Sequence, residues 1–400
     1  MSLLDRFLKY VKVDTMSDDK NADCTPSTKK QFDLANILKD ELIGLGLKDV
    51  MINEYCTVYA TLPANQKGYD KIGFLAHMDT IPELSGSNVK PNVVVFDGTP
   101  IRLGNTNKYL SQDEFSSLKK QIGHTLITTD GTTVLGCDDK GGVAIIMQML
   151  EDIITKNLPH GEIHVAFTPD EEIGTGVLKF DTSKFPVDYA YTVDGGDPCE
   201  FSYETFNAAQ ATVNIKGFEI HPGFAKDKMI NASLVAMEFN SLLNPNERPE
   251  YTQGYDGFNH LTEITGSIGS ASMHYIIRNH SLDLLEKQKQ EFYNAALFLN
   301  KKYPNSVSVE IKDQYKNMRV LIEKDMRCVD KALNAYKSAG VDVFCAATRG
   351  GTDGSQLTFM GINTPNLGTG GYNEHGVFEY ADLNEMTKML EVATLIATTK

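Results

Sequence analysis

The stretch KIGFLAHMD, residues 71–79, joins a short apolar run to a polar end. A run of this length and composition is typical of a strand that is buried on both faces of a parallel sheet. Two side chains able to bind metals or carry protons, His77 and Asp79, follow where the predicted strand ends. The stretch therefore predicts an α/β sheet with reactive groups at the carboxyl end of a strand.

Two later stretches repeat this arrangement. In EIHVAFTPDEE, residues 162–172, a predicted strand ends shortly before two glutamates, and in YAYTVDGG, residues 189–196, another strand ends at Asp194. Apolar residues spaced three and four apart between positions 143 and 154 predict a helix that precedes the first of these strands. Alternating strands and helices with acidic strand ends indicate an open, mostly parallel α/β sheet with its site at one edge.

The pattern changes in the middle of the chain. Predicted strands lie near residues 211–215, 263–268, 272–278 and 307–311, and predicted helices near residues 228–243 and 282–303. This β-α-β-β-α-β order is that of a ferredoxin-like α+β domain. We therefore expect a sheet domain made of residues 1–206 and 318–400, interrupted by a smaller domain at residues 207–317.

The overall composition excludes several classes of protein. Of the 400 residues, 41% are hydrophobic and 23% are charged, which is typical of a globular chain. The formal net charge of −15 disfavours binding to nucleic acid. We expect no membrane segment, because no stretch approaches about 18 apolar residues, and no signal peptide. The six cysteines lie far apart without a Cys-x-x-Cys pair, so we expect free thiols and a cytoplasmic protein.

The polar residues at the predicted strand ends form a set suited to metal binding. They are His77, Asp79, Asp138, Asp139, Glu171, Glu172, Asp194 and, far downstream, His375. Imidazoles and carboxylates together suit Zn²⁺ or Mn²⁺. Several carboxylates crowded in a poorly hydrated cleft repel one another unless divalent cations neutralise them. Each pair alone is common on protein surfaces, but their joint position after apolar runs predicts a two-metal site.

Further motifs agree with that prediction. The segments HMDT (77–80), LGCDDKGG (135–142), TPDEEIG (168–174) and TVDGG (192–196) resemble the signatures of the two-zinc aminoacylase/carboxypeptidase metallopeptidase superfamily. Within it, TTDG (128–131), HPG (221–223), MHYIIR (273–278), RGGTDG (349–354) and TGGYNEHG (369–376) resemble aminopeptidases that act on tripeptides. The resemblance covers nearly the whole chain. It implies a zinc-exopeptidase catalytic domain interrupted by a lid or dimerisation domain.

The resemblance also implies the individual ligands. One zinc ion would be held by His77, Asp138 and Asp194, and the other by Asp138, Glu172 and His375, with Asp138 bridging the two. Glu171 would be the general base for attack by a metal-activated water. Asp79 would accept the second N–H of His77, or alternatively is only a turn residue. Mn²⁺ or Co²⁺ can substitute for zinc, and in this family the peptide bond after the bridging aspartate is typically cis.

Three residues outside the ligand set are candidates for binding the substrate. Arg349 offers a planar fork, and the resemblance implies that it binds the C-terminal carboxylate of the peptide; the alternative is a surface ion pair. His221 resembles a histidine that relatives supply across a dimer to stabilise the oxyanion, although a histidine before Pro-Gly is otherwise a turn residue. Asn231 is a second candidate for that task and is alternatively a helix cap.

The sequence therefore predicts a two-zinc aminopeptidase that releases the N-terminal residue from tripeptides. The nearest alternative is a dipeptidase or an N-acyl-amino-acid deacylase on the same scaffold, and a further alternative is a non-catalytic binding protein. All five ligands and Glu171 are present, which disfavours a loss of catalysis. The expected partners are a small peptide substrate and, if His221 acts across an interface, a second copy of the chain in a homodimer. Whether His221 acts in cis or in trans stays open.

Overall fold

The structure, a computed structural model, describes residues Met1 to Lys400, which divide into two compact units. Unit 1 comprises Met1–Tyr203, Met318–Ala346 and Thr352–Lys400, and unit 2 comprises Glu204–Asn317 and Ala347–Gly351. Unit 2 thus interrupts unit 1 in the sequence. The chain returns briefly to unit 2 at Ala347–Gly351, a crossing that no sequence pattern marks.

The chain forms nine helices and 18 strands. The helices are α1 (Leu3–Tyr10), α2 (Gln31–Gly44), α3 (Cys137–Thr155), α4 (Ala232–Leu242), α5 (Leu282–Lys302), α6 (Arg319–Ile322), α7 (Arg327–Ser338), α8 (Asp353–Phe359) and α9 (Leu383–Thr398). The strands are β1 (Lys48–Ile52), β2 (Val58–Leu62), β3 (Ile72–His77), β4 (Asn92–Val95), β5 (Ile101–Arg102), β6 (Tyr109–Leu110), β7 (Thr125–Thr128), β8 (Ile163–Thr168), β9 (Tyr189–Gly195), β10 (Glu200–Glu204), β11 (Asn207–Lys216), β12 (Phe258–Gly266), β13 (Ser270–Asn279), β14 (Val307–Tyr315), β15 (Phe344–Ala347), β16 (Asn366–Gly368), β17 (Gly371–Tyr372) and β18 (Tyr380–Asp382).

The main sheet has eight strands in the order β1-β2-β8-β3-β9-β16-β10-β15. Its four central strands, β8, β3, β9 and β16, are parallel, and the flanking pairs β1/β2, β2/β8 and β10/β16 are antiparallel. Every residue of β3 and β8 is buried, as expected for strands covered on both faces. The predicted α/β fold is confirmed, and β3, β8 and β9 begin within one residue of their predicted starts.

Helix α3 is buried along most of its length. Of its 19 residues 14 are buried, so it is apolar on nearly every side, as a helix inside the core must be. At Gly142 the helix passes close to β9, because a Cβ atom added there would lie 1.8 Å from the carbonyl oxygen of Val193. Only a glycine allows this approach. The approach brings the N-terminus of α3 next to the ends of the central strands.

A second sheet of unit 1, in the order β17-β18-β7-β4, holds the segment that carries His375. Strand β17 pairs antiparallel with β18, which in turn pairs with β7. The rings of Tyr372 and Tyr380 stack with their centres 5.1 Å apart. The loop of residues 373–379 is therefore held at both of its ends.

Unit 2 contains a four-stranded antiparallel sheet in the order β12-β13-β11-β14. The chain order β11-α4-β12-β13-α5-β14 confirms the predicted β-α-β-β-α-β arrangement. Its core includes Phe239, Tyr275 and Phe292. Strand β12 begins at Phe258, earlier than the predicted strand near residues 263–268. It is an edge strand with most of its side chains exposed, so it lacks the alternation that marks a half-buried strand.

Three features bear on the expectations from composition. All six cysteines are free thiols, as expected from their spacing. None of the helices is both long enough and apolar enough to cross a membrane. Cys137 is buried beside the predicted metal ligands but belongs to none of the candidate ligand groups, and burial raises the pKa of its thiol well above the usual range, so it is a neutral packing group in the metal-free chain.

The substitution Gly142→Ala should destabilise the protein although alanine is the better helix former. The new methyl group would meet the Val193 carbonyl and, 2.5 Å away, the Asp139 carboxylate. Such overpacking should lower the free energy of unfolding by about 2 kcal/mol, measured by chemical denaturation. Gly44→Ala is the matched control at the end of α2, where a Cβ atom meets nothing within 4 Å, and should be neutral or stabilise by up to about 1 kcal/mol. Equal stability of the two variants would contradict a close approach of α3 to β9.

Candidate metal centre and active site

The carboxyl ends of β3, β8 and β9 lie at one edge of the main sheet, because these strands are parallel neighbours. His77 is the last residue of β3, and Asp194 lies near the end of β9. The 3₁₀ turn Glu171–Ile173 follows β8. Asp138 lies at the start of α3, and His375 lies between β17 and β18. Five separate segments therefore supply the residues of the site.

The first group of candidate ligands consists of His77, Asp138 and Asp194. The Nε2 atom of His77 lies 2.9 Å from Oδ1 of Asp138 and 3.4 Å from Oδ1 of Asp194. One ligand atom of each residue lies within 4.8 Å of the others. His77 is buried, whereas the two carboxylates are partly exposed. Three donor atoms at this spacing can bind a single ion.

The second group consists of Asp138, Glu172 and His375. The Nε2 atom of His375 lies 3.1 Å from Oδ2 of Asp138 and 3.0 Å from Oε2 of Glu172. These ligand atoms also lie within 4.8 Å of one another. Asp138 belongs to both groups and turns one carboxylate oxygen towards each histidine. The structure thus brings together the five ligand residues in the two sets that the resemblance implies.

The backbone at Asp138 departs from the helix that contains it. Asp138 has φ −81° and ψ 103°, and Asp139 has φ −121° and ψ 32°, so the regular helix begins after them. The peptide bond between them is cis, as the resemblance implies. The carboxylate of Asp139 accepts hydrogen bonds from the backbone N–H of His77 at 3.2 Å and of Gly142 at 3.1 Å. Asp139 therefore ties the helix to β3, while Asp138 faces the ligand groups.

The carboxylates of the first group favour a positive charge nearby. Burial raises the pKa of Asp194 to about 6. Burial alone would favour a neutral imidazole at His77, but the charge of Asp194 and the hydrogen bond to Asp138 outweigh it and raise the pKa of His77 well above its usual range. In the metal-free chain the histidine therefore takes up a proton that partly neutralises the carboxylates.

The second group behaves in the same way. Hydrogen bonds to Asp138 and Glu172 raise the pKa of His375 to about 11. Burial, together with the charge of Asp138, raises the pKa of Glu172 to about 7. Burial also opposes ionisation of Asp138, but its hydrogen bonds to His375 and His77 outweigh burial and lower its pKa. Two imidazoles and three carboxylates, one of them shared, form a donor set that fits two divalent cations such as Zn²⁺.

Asp79 contacts both a candidate ligand and the turn Glu171–Ile173, which we call the glutamate turn. It is fully buried, and Nδ1 of His77 lies 3.3 Å from its Oδ1 atom and hydrogen-bonds its backbone carbonyl oxygen at 3.2 Å. Its two oxygens also accept hydrogen bonds from the backbone N–H of Glu171 at 3.0 Å and of Glu172 at 3.3 Å. The sequence predicts the contact to the imidazole, but no sequence pattern predicts the two backbone contacts. Asp79 thus couples one ligand histidine to the glutamate turn.

Glu171 directly precedes Glu172 in the chain and belongs to neither candidate ligand group. Burial, together with the charge of Asp194, raises the pKa of Glu171 well above its usual range. A carboxylate that takes up and returns a proton near neutral pH requires such a shift. The buried carboxylate of Asp353 adds to it and accepts a hydrogen bond from the hydroxyl of Thr168 at 2.7 Å. No sequence pattern assigns Asp353 a role, because its partners come from distant segments.

A second set of contacts holds Asp170, the residue directly before the glutamate turn. Asp170 has a positive φ of 53°, which is uncommon for a residue other than glycine. Its carboxylate accepts hydrogen bonds from the N–H of Ser27 at 2.6 Å, the hydroxyl of Ser27 at 2.5 Å and the side-chain amide of Gln31 at 2.6 Å. Ser27 and Gln31 precede Asp170 by 143 and 139 residues, so no local pattern reveals these contacts.

A cavity of about 520 Å³ opens beside the ligands in unit 1. Its walls include Asp138 and Asp194 and four carboxylates that belong to neither candidate ligand group, which are Asp139, Asp197, Glu200 and Glu374. Burial raises the pKa of both Glu200 and Glu374. A cavity lined in this way favours a ligand that carries positive charge.

Arg349 lies in unit 2, where its guanidinium group stacks on the rings of Phe206 at 5.2 Å and Phe258 at 5.6 Å. Its Nη1 atom donates hydrogen bonds to the carbonyl oxygens of residues 254 and 256, each at 2.8 Å, and Nη2 donates to the hydroxyl of Thr252 at 2.9 Å. These partners carry no charge, so they do not form the surface ion pair that was the alternative. The bonds use three of the five N–H groups of a guanidinium. The remaining two N–H groups, one on Nε and one on Nη2, can donate to a carboxylate.

His221 and Asn231 also lie in unit 2. The Nδ1 atom of His221 accepts a hydrogen bond from the N–H of Gly223 at 3.1 Å, which places the ring proton on Nε2. The ring lies 5.5 Å from that of Phe224. Asn231 caps α4, because its Oδ1 atom accepts hydrogen bonds from the N–H groups of residues 233 and 234 at 3.1 and 3.4 Å. The cap is the alternative role that the sequence leaves open for Asn231.

The chain is similar to known peptidases in sequence and in fold. The model of peptidase family M20/M25/M40 matches residues 120–399. Peptidase T of Geobacillus sp. (strain WCH70) is 48% identical over 395 residues, which are 98% of this chain and 96% of that protein. The crystal structure of aminopeptidase PepT from Bacillus cereus ATCC 10987 has a TM-score of 0.78 at 23% identity and covers 99% of this chain and 97% of its own. The structure of YxeP from Bacillus subtilis, a dinuclear metal binding peptidase from the M20 family, has a TM-score of 0.64 at 14% identity over 99% and 96% of the chains.

Zinc binding to the metal-free chain should release protons and become tighter as the pH rises. The raised pKa values of His77 and His375 keep both imidazoles protonated near neutral pH, and a metal binds only the neutral form. Calorimetric titrations at pH 6, 7 and 8 in two buffers of different ionisation enthalpy should show this release. The affinity should rise by up to about tenfold per pH unit for each proton released. A constant affinity over this range would contradict protonated imidazoles at His77 and His375 in the metal-free chain.

Proposed function

The chain belongs to peptidase family M20/M25/M40, and we propose that it is a two-zinc aminopeptidase that releases the N-terminal residue from tripeptides. The observation that carries the proposal is the position of Asp138, whose two oxygens face His77 and His375 separately. A carboxylate shared in this way can hold two cations at the short separation found in two-metal hydrolases. The relationship of the chain to peptidase T supports a tripeptide as the substrate.

The residues that would hold zinc are His77, Asp138 and Asp194 for one ion and Asp138, Glu172 and His375 for the other. When bound, two such ions polarise the peptide carbonyl and lower the pKa of water. The task of the surrounding protein is to keep the donor atoms in place. Asp79 orients His77, and Asp139 fixes the start of α3. Mn²⁺ or Co²⁺ would be accepted by the same donors.

Glu171 is the general base in this proposal. A carboxylate with a raised pKa can take a proton from water and return it to the leaving amine. The neighbouring Glu172 has a different task, because its carboxylate contacts His375 and completes the second ligand group. Asp79 holds the backbone N–H groups of both glutamates, which keeps the base and the ligand in a fixed relation.

The two ends of a tripeptide carry opposite charges, and the chain offers a group for each. The carboxylates of Asp197, Glu200 and Glu374 in the cavity beside the ligands favour a free ammonium group. The two remaining N–H groups of Arg349 can donate to the C-terminal carboxylate. The acidic cavity favours a substrate with a free ammonium group over an N-acyl amino acid, whose nitrogen carries no charge.

The oxyanion of the reaction would receive a hydrogen bond from the N–H on Nε2 of His221. Asn231 would contribute only through its side-chain nitrogen, since its oxygen caps α4. His221 would come from the same chain or from the partner in a homodimer.

The dimer is supported by exposed apolar side chains on α4 and α5, which are Leu234, Met237, Leu297 and Phe298. Sedimentation velocity tests it, and a fully active monomer would exclude a histidine supplied in trans.

A panel of peptides tests the proposed function. The zinc-loaded enzyme should release the first residue of a tripeptide with free ends. Dipeptides, tetrapeptides and N-acetylated tripeptides should each lose a charge contact. Their kcat/KM should therefore be at least about 100-fold lower. Amidation of the C-terminus should weaken binding to the wild type but not further to Arg349→Ala. Preferred cleavage of dipeptides would indicate a dipeptidase. Preferred cleavage of N-acetyl amino acids would indicate a deacylase, and the absence of any turnover would indicate a binding protein.

The substitution Glu171→Gln should retain the metals and lose most of the activity. The amide has nearly the size of the carboxylate but cannot take up a proton, so kcat should fall by about 10³-fold or more. Metal content by mass spectrometry should stay at two ions per chain. Glu162→Gln is the control, because Glu162 precedes the same strand β8 and forms a partly exposed ion pair with Lys71. Tripeptide hydrolysis by Glu171→Gln at the wild-type rate would remove the base assignment.

A further inference from the structure

We propose that Glu379 is a positioning residue that holds Asp138 in place between the two ligand groups, an inference that rests on the proposed two-metal function. Glu379 belongs to neither group and lies four residues after His375 in the chain. No sequence motif marks it. Its carboxylate binds the backbone of the turn that carries Asp138, which we call the Asp138 turn, residues 135–138.

Glu379 accepts hydrogen bonds from four consecutive backbone N–H groups. Its Oε2 atom accepts those of Leu135 at 2.7 Å and Gly136 at 2.9 Å. Its Oε1 atom accepts those of Cys137 at 2.6 Å and Asp138 at 3.1 Å. Successive N–H groups that converge on one anion form a nest, an arrangement that binds phosphates and iron–sulfur clusters in other proteins. Here the chain itself supplies the anion.

The chemistry of this contact requires a carboxylate. A carboxylate has about four lone-pair sites and no donor, so it matches four N–H groups. Glu379 is only 2% exposed, and water cannot readily replace a lost partner. In a glutamine at this position, the side-chain NH₂ group would face two backbone N–H groups and accept neither. Two buried donors would then lack a partner, which disfavours the present shape of the turn.

The same side chain connects two segments that carry ligands of the second group. His375 lies in the loop of residues 373–379, which Glu379 ends, and Asp138 lies in the Asp138 turn. His375 has a positive φ of 61°, a conformation that persists only where the surroundings support it. The N–H of Glu379 donates to the carbonyl oxygen of Gly376 at 3.2 Å, and β18 begins at the next residue. Glu379 is therefore the point at which the loop is fixed to the Asp138 turn.

A displaced Asp138 turn would affect both metals at once, because Asp138 is the shared ligand. Groups that orient metal ligands typically change metal affinity or activity by about 10- to 100-fold when they are replaced. The loss of Glu379 should therefore lower zinc affinity and kcat. KM should change little, since Arg349, Asp197 and Glu200 lie outside both the Asp138 turn and the loop of residues 373–379. A merely structural role would lower thermal stability and leave zinc affinity and kcat unchanged.

The substitution Glu379→Gln tests the inference, with Asp382→Asn as the matched control. Asp382 is also a buried carboxylate, three residues further on, that accepts two backbone N–H groups, those of residues 384 and 385. Its other partner is His124, at 2.6 Å, so it supports the start of α9 and not the Asp138 turn. Both substitutions exchange a carboxylate for an amide at a backbone cap. Both should lower the melting temperature.

Three measurements separate positioning from stability. For Glu379→Gln we expect zinc affinity, measured in competition with a chelator, and kcat on a tripeptide to fall about 10- to 100-fold. KM should stay within about threefold of the wild-type value. In the metal-free chain, hydrogen exchange at the amides of residues 135–138 should become faster. In Asp382→Asn all of these quantities should match the wild type.

Wild-type zinc affinity and kcat in Glu379→Gln, with only a lower melting temperature, would overturn the inference, and so would unchanged hydrogen exchange at the Asp138 turn. If Glu379→Gln does not fold, Glu379→Asp takes its place with the same expected results, because it keeps the charge and shortens the side chain by one methylene group. A wild-type chain that binds no zinc and cleaves no tripeptide would overturn the proposed function instead. The exchange measurement on the metal-free chain then still decides whether Glu379 holds the turn.

Discussion

The mutual repulsion of carboxylates at one edge of the main sheet is the constraint on which the rest of the site depends. Asp138, Glu172 and Asp194 converge there with two histidines, while burial opposes the ionisation of each carboxylate. Such an arrangement is unfavourable without positive charge and becomes favourable when cations bind. In the metal-free chain, protonated imidazoles reduce the repulsion. The fold thus holds the anions together in the metal-free chain, and this arrangement favours the binding of cations.

The fold holds this edge largely through carboxylates that bind backbone N–H groups. Asp79 binds the glutamate turn, Asp139 joins β3 to the start of α3, and Glu379 binds the Asp138 turn. A carboxylate only accepts hydrogen bonds, so one side chain can fix several successive amides without adding a cation that would compete with the metals. Three of the five segments that carry candidate ligands, those of His77, Asp138 and Glu172, are thereby fixed by a residue from a different part of the chain.

The parts of the site at the strand ends could be predicted from sequence, because a strand buried on both faces is apolar throughout and its first polar residue marks its end. This holds for His77 and Asp194. Glu379, Asp353 and Asp170 could not be found in this way, since their roles depend on amides and hydroxyls from distant segments. The predicted position of the edge strand β12, near residues 263–268, lies too late in the chain because an exposed strand lacks an apolar pattern. Strand β12 is exposed on most of its length and shows no periodicity.

The presence of two cations that share Asp138 is tested most directly by anomalous diffraction at the zinc edge from crystals of the zinc-loaded full chain. We expect two peaks per chain, one about 2.0–2.2 Å from donor atoms of His77 and Asp194, and the other at the same distance from donor atoms of Glu172 and His375. Each of the two should also contact one oxygen of Asp138. No peak among these residues in fully active enzyme, or a single peak that leaves His375 without a metal, would contradict the two-cation centre.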